Sequence, residues 1–206
     1  MHDQELIWRI AGGSGDGIDS TSKNMAKALM RAGLHVFTHR HYPSRIRGGH
    51  TFVEVRASPD PVTSRGDGYN FLVVLGDSFA RNPREEAIYE DEESAPLREN
   101  LDDLREGGII IYDTGLIDDE AVEEIGLEER AEENNWHVYP IDLRQMAKDV
   151  GREVMRNTAS VGVTFAVLGA ETDQVEQLLE ENMSGGILED NLEVLENAYE
   201  YGQNLD

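Results

Sequence analysis

Gly12, Gly13, Ser14, Gly15, Asp16 and Gly17 stand between an apolar run, Leu6 to Ala11, and a segment with helical spacing. Glycines after a buried strand permit a tight turn and close approach of backbone to a ligand. The helix that follows offers N–H groups and partial positive charge to an anion. The chemistry this suggests is phosphate binding. The dinucleotide fingerprint is not met: counting G-x-G-x-x-G from Gly13 puts Ile18 at the third glycine, and counting from Gly15 puts Ser20 there. The acid that would meet a ribose about twenty residues later is missing. The second strand ends Thr38-His39-Arg40-His41 instead. No Gly-Lys-Ser/Thr follows, so the phosphate-loop pattern fails too. These departures argue against NAD and nucleoside triphosphates. A turn that only packs helix on sheet, or on a neighbouring subunit, fits as well as an anion site.

A second group is Ser44, Arg45, Ile46, Arg47, Gly48 and Gly49, on the loop after the second strand. Arginine forks match phosphate or carboxylate at two points. In a chain so poor in positive charge, two arginines beside Gly-Gly stand out. Ion pairing with the protein's own acids is an equally good account of either one. His39, His41 and His50 form a third group, with His39 and His41 on one face of a strand. A metal needs three or four ligands, and no His or Glu at helical spacing completes a set. Packing or loop hydrogen bonding is the expectation there. Asp77 and Asp113 follow apolar strands, where open parallel sheets bind ligands. Asp at such places is more often a turn former or helix cap. No Ser-His-Asp arrangement and no pair of catalytic carboxylates is evident.

Eighteen basic and forty-two acidic residues give a net charge of −24, and only three of the bases are lysines. Such a field repels nucleic acid and anionic membranes. The acids are spread through the helical segments rather than blocked at one end, which reads as adaptation to a salty cytoplasm. At molar salt the Debye length falls to about 3 Å and self-repulsion is screened. The 206 residues contain no cysteine, so they hold no disulfide, thiolate nucleophile or cysteine-ligated cluster. No apolar run is long enough to span a bilayer, and the first residues do not read as a signal peptide. The expected location is the cytoplasm.

Positioning these groups requires a strand at Leu6–Ala11, a helix from Asp16 to Ala32 and a strand at Leu34–Thr38. That βαβ opening predicts a locally parallel sheet with a right-handed crossover. Thr51–Arg56, Phe71–Leu75, Ile109–Tyr112 and His137–Ile141 read as further strands. Leu97–Leu104 reads as a short helix stopped by Gly107-Gly108, and Leu116–Glu133 as acidic and mostly helical. Arg81 to Ser94 is a charged excursion without a clean period. Leu143–Val150, Asn157–Leu168, Thr172–Asn182 and Ile187–Gln203 read as consecutive helices, forming either a small lobe or a layer returning across the sheet. The fold expected is α/β, a three-layer Rossmann-like domain with a mostly parallel central sheet and a helical C-terminal part from about residue 142, in a single unit over residues 1–206.

Four segments together resemble the gamma-type domain of the 2-oxoacid:ferredoxin oxidoreductases, which act on pyruvate, 2-oxoglutarate or 2-oxoisovalerate. They are Gly12–Gly17 with its helix; Tyr42-Pro43-Ser44-Arg45-Ile46-Arg47-Gly48-Gly49-His50; Phe71–Leu75 with Arg105 to Asp113; and Ala147–Gly151, Asn157, Gly162 and Asn191 to Gly202. The resemblance implies a place in a complex that decarboxylates a 2-oxoacid on thiamine diphosphate. Such a complex passes electrons through iron–sulfur clusters to ferredoxin and transfers the acyl group to coenzyme A. It implies that this chain holds neither thiamine nor cluster, is inactive alone, and packs against thiamine-diphosphate-binding alpha or beta chains. The salty composition resembles a haloarchaeal member, as a separate subunit or the N-terminal part of an alpha subunit. Carried over by position, Gly12 to Gly17 and Ser44, Arg45, Arg47, Gly48 and Gly49 would meet coenzyme A phosphates or the partner chain. The alternative is a stand-alone phosphate-binding or regulatory module without turnover.

Overall fold

A computed structural model describes residues 5–43, 48–80 and 93–205. The strands are β1 (Leu6–Gly13), β2 (His35–His41), β3 (His50–Ser58), β4 (Tyr69–Val74), β5 (Leu104–Asp113) and β6 (His137–Ile141). They form one sheet in the order β2-β3-β1-β4-β5-β6. β1, β4, β5 and β6 pair in parallel, whereas β3 is antiparallel to both β1 and β2.

The opening is therefore not a parallel β1–β2 pair. The helix α1 (Ile18–Arg31) does return β2 in the direction of β1, but β3 lies between them. Burial explains the order. β1 is buried along nearly its whole length and needs a partner on each side. β3 supplies apolar Val53, Val55 and Ala57, whereas β2 exposes His35, Thr38, Arg40 and His41 and suits an edge.

Side chains alternate between two cores. Trp8, Ile10, Val53, Val55, Phe71, Val73 and Ile111 face α1 and the C-terminal helices α5 (Leu143–Val150), α6 (Arg156–Val167), α7 (Asp173–Asn182) and α8 (Gly186–Gln203). Ile7, Leu72, Val74, Ile110 and Tyr112 face Leu97, Leu101, Leu116, Leu127 and Trp136 on the other side. That second layer is carried by α2 (Ala95–Arg98), α3 (Asp119–Ile125) and α4 (Leu127–Asn134). The C-terminal helices thus return across the sheet and share its core. α6 and α8 cross closely because Gly162 and Gly202 lack side chains. A β-carbon on Gly162 would lie 2.7 Å from the Leu195 carbonyl oxygen.

Two local expectations are corrected. The helix near residue 97 ends at Arg98, and Leu104 already belongs to β5. Gly107-Gly108 does not stop a helix; it lies inside β5, where pairing with β4 jumps from Leu104 to Ile109. Gly107 takes the left-handed conformation (φ 71°) that such an irregularity favours. The acidic stretch before β6 is two helices, broken at Gly126 (φ 68°). The excursion expected from Arg81 lies outside the described residues up to position 92.

Candidate functional site

β1, β4 and β5 end side by side, and each runs into an acid close beyond or at its end: Asp16, Asp77 and Asp113. Asp77 and Asp113 are almost wholly buried, at 1% and 0% exposure, and Asp16 is 9% exposed. The charges of Asp16 and Asp113 are countered by Arg156, 4% exposed, at the first residue of α6. Its Nη2 lies 3.0 Å from Asp16 Oδ1, and its Nη1 lies 4.0 Å from Asp113 Oδ2.

The carboxylates also take backbone N–H groups. Asp16 Oδ2 accepts from Gly13 (3.2 Å) and Ser78 (3.0 Å), while the Ser78 hydroxyl is bonded to Asp16 Oδ1. Asp77 accepts from Gly49 at Oδ2 (2.7 Å) and from Phe79 at Oδ1 (3.0 Å). Asp113 Oδ1 accepts from Gly115 (3.1 Å) and Arg144 (3.3 Å), but its Oδ2 accepts no hydrogen bond among the described residues. Burial pushes the Asp113 carboxyl pKa up, against the opposing pull of Arg156. Asp77 and Asp113 thus form turns at strand ends, as Asp commonly does.

The glycine turn and the second loop come together. Ser14 donates its N–H to the Gly49 carbonyl oxygen (3.0 Å), and Gly48 donates to that of Ser14 (2.8 Å). Of the residues singled out in sequence, Gly12, Gly13, Ser14, Gly15, Asp16, Gly17, Gly48 and Gly49 share one locus. Ser44, Arg45 and Arg47 lie outside the described residues. Gly17 caps α1 at φ 81° with no side-chain cap. Asn157, the second residue of α6, donates its amide to the Asp16 carbonyl oxygen (2.8 Å).

Two cavities flank Asn157 and share Val154. One, about 210 Å³, is lined by Gly15, Asp16, Ser78, Phe79, Glu153 and Arg156. The other, about 270 Å³, runs between α1, α6, α7 and α8, with Ser20, Thr21 and Asn24 beside Val161, Val175 and Leu179. A larger cavity, about 640 Å³, lies beside α4 and β6, lined by Tyr112, Leu127, Ala131, Trp136 and Pro140. Its carboxylates, Glu128 and Glu132, are exposed and no buried ion pair among the described residues borders it, so the strand-end locus is the candidate site.

His39, His41 and His50 gather around Phe52 beside this locus, with His50 paired to Gly13 in the sheet. Asn100 accepts from Arg9 Nη1 (2.9 Å) and donates to Pro96 (2.6 Å) and to His50 Nε2 (2.8 Å). Arg9 pairs with buried Glu54 and lies 4.0 and 3.9 Å from the ring centroids of Phe52 and Tyr69. His41 stacks on Phe52, with centroids 5.2 Å apart. These are packing and hydrogen-bonding roles. Among the described residues no group of three or more His, Asp or Glu could hold a metal ion.

The family model for pyruvate ferredoxin/flavodoxin oxidoreductase matches residues 7–201. The chain belongs to the pyruvate ferredoxin/flavodoxin oxidoreductase family. Among curated relatives, a 2-oxoacid:ferredoxin oxidoreductase subunit alpha from Sulfolobus sp is 21% identical over 94% of this chain and 34% of its own. The ketoisovalerate oxidoreductase subunit VorA of Methanothermobacter marburgensis is 26% identical over 94% of this chain and 36% of its own. The chain therefore spans about a third of the length of these relatives. Among solved structures, pyruvate oxidoreductase subunit PORC of Thermotoga maritima has a TM-score of 0.68 at 19% identity, with 96% of each chain covered. The 2-oxoglutarate:ferredoxin oxidoreductase of Magnetococcus marinus, with 2-oxoglutarate, coenzyme A and succinyl-CoA bound, has a TM-score of 0.73 at 22% identity. This chain covers 32% of it, and it covers 98% of this chain. These structural likenesses concern the fold of the oxidoreductase-family chain.

Sequence reasoning missed Arg156, Ser78 and the Arg9–Glu54–Asn100 group. Arg156 is 140 residues from Asp16, and nothing local marks it as the partner of the glycine turn. Arginine in an otherwise small and apolar helix, Arg-Asn-Thr-Ala-Ser-Val-Gly-Val, was the available signal. A fully buried helix face admits a charge only with a partner.

Proposed function

We propose that the chain is a component of a 2-oxoacid:ferredoxin oxidoreductase complex, which oxidatively decarboxylates a 2-oxoacid to acyl-CoA and reduces ferredoxin. The match to the family model over residues 7–201 carries this reading, and the subunit names of the relatives support it. The chain forms a single gamma-type unit over residues 1–206, works in the cytoplasm and has no turnover alone. It acts as a separate subunit or as the N-terminal part of a haloarchaeal alpha subunit. Thiamine diphosphate and the iron–sulfur clusters belong to partner chains.

The surface formed by Gly12–Gly17 and Gly48–Gly49 is the contact with a thiamine-diphosphate-binding chain and with coenzyme A. Gly13 and Gly49 already give their N–H groups to the chain's own carboxylates. Any coenzyme A phosphate here is held by the Arg45 and Arg47 forks rather than by those amides. Hydrogen bonds to charged groups contribute about 1.5–3 kcal/mol each. Arg47→Ala in the reconstituted complex is therefore expected to raise the KM for coenzyme A roughly 10- to 100-fold, or to weaken assembly. Unchanged coenzyme A affinity together with unchanged assembly would remove this role.

A further inference from the structure

A glycine-rich strand–turn–helix commonly leaves its N–H groups for a ligand anion. Here the anions are built in. Gly13 and Ser78 donate to Asp16, and Gly49 and Phe79 donate to Asp77. The space beside Gly13 belongs to these same groups: a β-carbon there would lie 2.1 Å from Asp77 Oδ1 and 2.8 Å from Asp16 Oδ2. The glycine is thus required for the approach of carboxylates. Arg156 supplies a countercharge to the buried Asp16 carboxylate at 3.0 Å.

We propose that Asp16 and Asp77 occupy the position a ligand phosphate would take at this turn, and that Asp77 is a positioning residue for the Gly48–Gly49 segment. The geometry follows directly. Asp77 Oδ2 holds the Gly49 N–H at 2.7 Å, and the adjoining carbonyl of Gly49 receives the Ser14 N–H at 3.0 Å. Gly48 closes the pair by donating to Ser14 at 2.8 Å. Through these bonds a carboxylate at the end of β4 fixes where the chain emerges after Arg47. Free phosphate finds the Gly13 and Gly49 amides of the turn occupied by these carboxylates. The link from this anchoring to coenzyme A rests on the reading of Arg45 and Arg47 given above; the anchoring itself does not.

The test is amide hydrogen exchange on the 206-residue chain and its Asp77→Ala and Asp77→Asn variants, with and without sodium formate. Asp77→Ala leaves a carboxylate-sized void beside Gly13. Exchange at Gly49 and Phe79 is expected to rise at least tenfold, with the β4–β5 core unaffected. Formate should restore protection in the variant, sodium chloride at equal ionic strength should not, and neither should change the wild type. Asp77→Asn keeps one acceptor oxygen and is expected to fall between. In the complex, Asp77→Asn should raise the KM for coenzyme A while kcat is kept. If Gly49 exchange responds and the KM does not, positioning stands and the coenzyme A reading falls. Should Asp77→Ala not fold, Asp77→Asn carries the exchange test alone. Wild-type protection of both Gly49 and Phe79 in Asp77→Asn, or loss in Asp77→Ala that formate leaves unrepaired, would overturn the proposal.

Discussion

Asn157 reaches across 141 residues of sequence to donate its side-chain amide to the Asp16 carbonyl oxygen at 2.8 Å. The same amide nitrogen lies 2.3 Å from where a β-carbon on Gly17 would sit. One side chain on α6 therefore fixes the turn and excludes any residue but glycine at its end.

Gly17→Ala should destabilise the fold by about 2–4 kcal/mol, combining left-handed strain at φ 81° with the clash against Asn157. Asn157→Ala alone should cost about 1–2 kcal/mol for the lost hydrogen bond. The double variant should cost clearly less than the sum, because the clash disappears with the amide. Urea unfolding of the four proteins measures this coupling, and strict additivity would count against it.

Arg156→Met should cost about 3–5 kcal/mol, since Asp16 loses its buried countercharge while Asp113 keeps an oxygen without a hydrogen bond. Asp113→Asn should cost much less, because burial already disfavours the charged carboxyl there. Denaturant midpoints at neutral pH compare the two. Equal losses would show that the ion pairing is not centred on Arg156.

His50 carries the clearest pH signature. Burial, reinforced by the neighbouring His41 and by Arg9 and opposed by Glu99, pushes its pKa from the ordinary 6.5 down to about 4. The unfolded chain then binds a proton at a higher pH than the folded one. Stability from this group is full above about pH 6.5 and is lost as pH falls toward 4, by about 3 kcal/mol in all. Subtracting the pH dependence of His50→Gln from that of the wild type should isolate this slope. A difference that is flat between these pH values would place the imidazole in a more solvated setting.

With 42 acidic residues against 18 basic ones, the folded chain repels itself in dilute buffer. Its Tm should rise steadily from dilute buffer to molar KCl as the Debye length shrinks to about 3 Å. Thermal unfolding across a KCl series checks this, and a Tm that falls with salt would contradict the reading of the composition as salt adaptation.

Local periodicity carried most of the fold. β6 and α5 fall where alternation and helical spacing place them, and α6 to α8 begin and end within a residue of expectation. The insertion of β3 between β2 and β1 was not readable from the run Leu34 to Thr38 by itself, because strand order is decided by which strand can be buried on both sides. Gly107-Gly108 misled for a related reason: glycine marks a helix stop and a strand irregularity alike, and only pairing with β4 distinguishes them. At the site, the glycines, Asp77 and Asp113 were visible as types, yet their roles depend on Arg156 and Asn157 arriving from a distant helix. The glycine pattern suggested an external anion, whereas the Gly13 and Gly49 N–H groups donate to the chain's own Asp16 and Asp77 carboxylates.

The claim that this chain works as part of a 2-oxoacid:ferredoxin oxidoreductase complex is tested most directly by isolating it, affinity-tagged, from its native cells under native salt. Co-elution with a thiamine-diphosphate-binding chain in equal proportion is expected, with viologen reduction in that fraction that requires both a 2-oxoacid and coenzyme A. Elution of the chain alone, with all such activity in fractions that lack it, would show that it is not a component of such a complex.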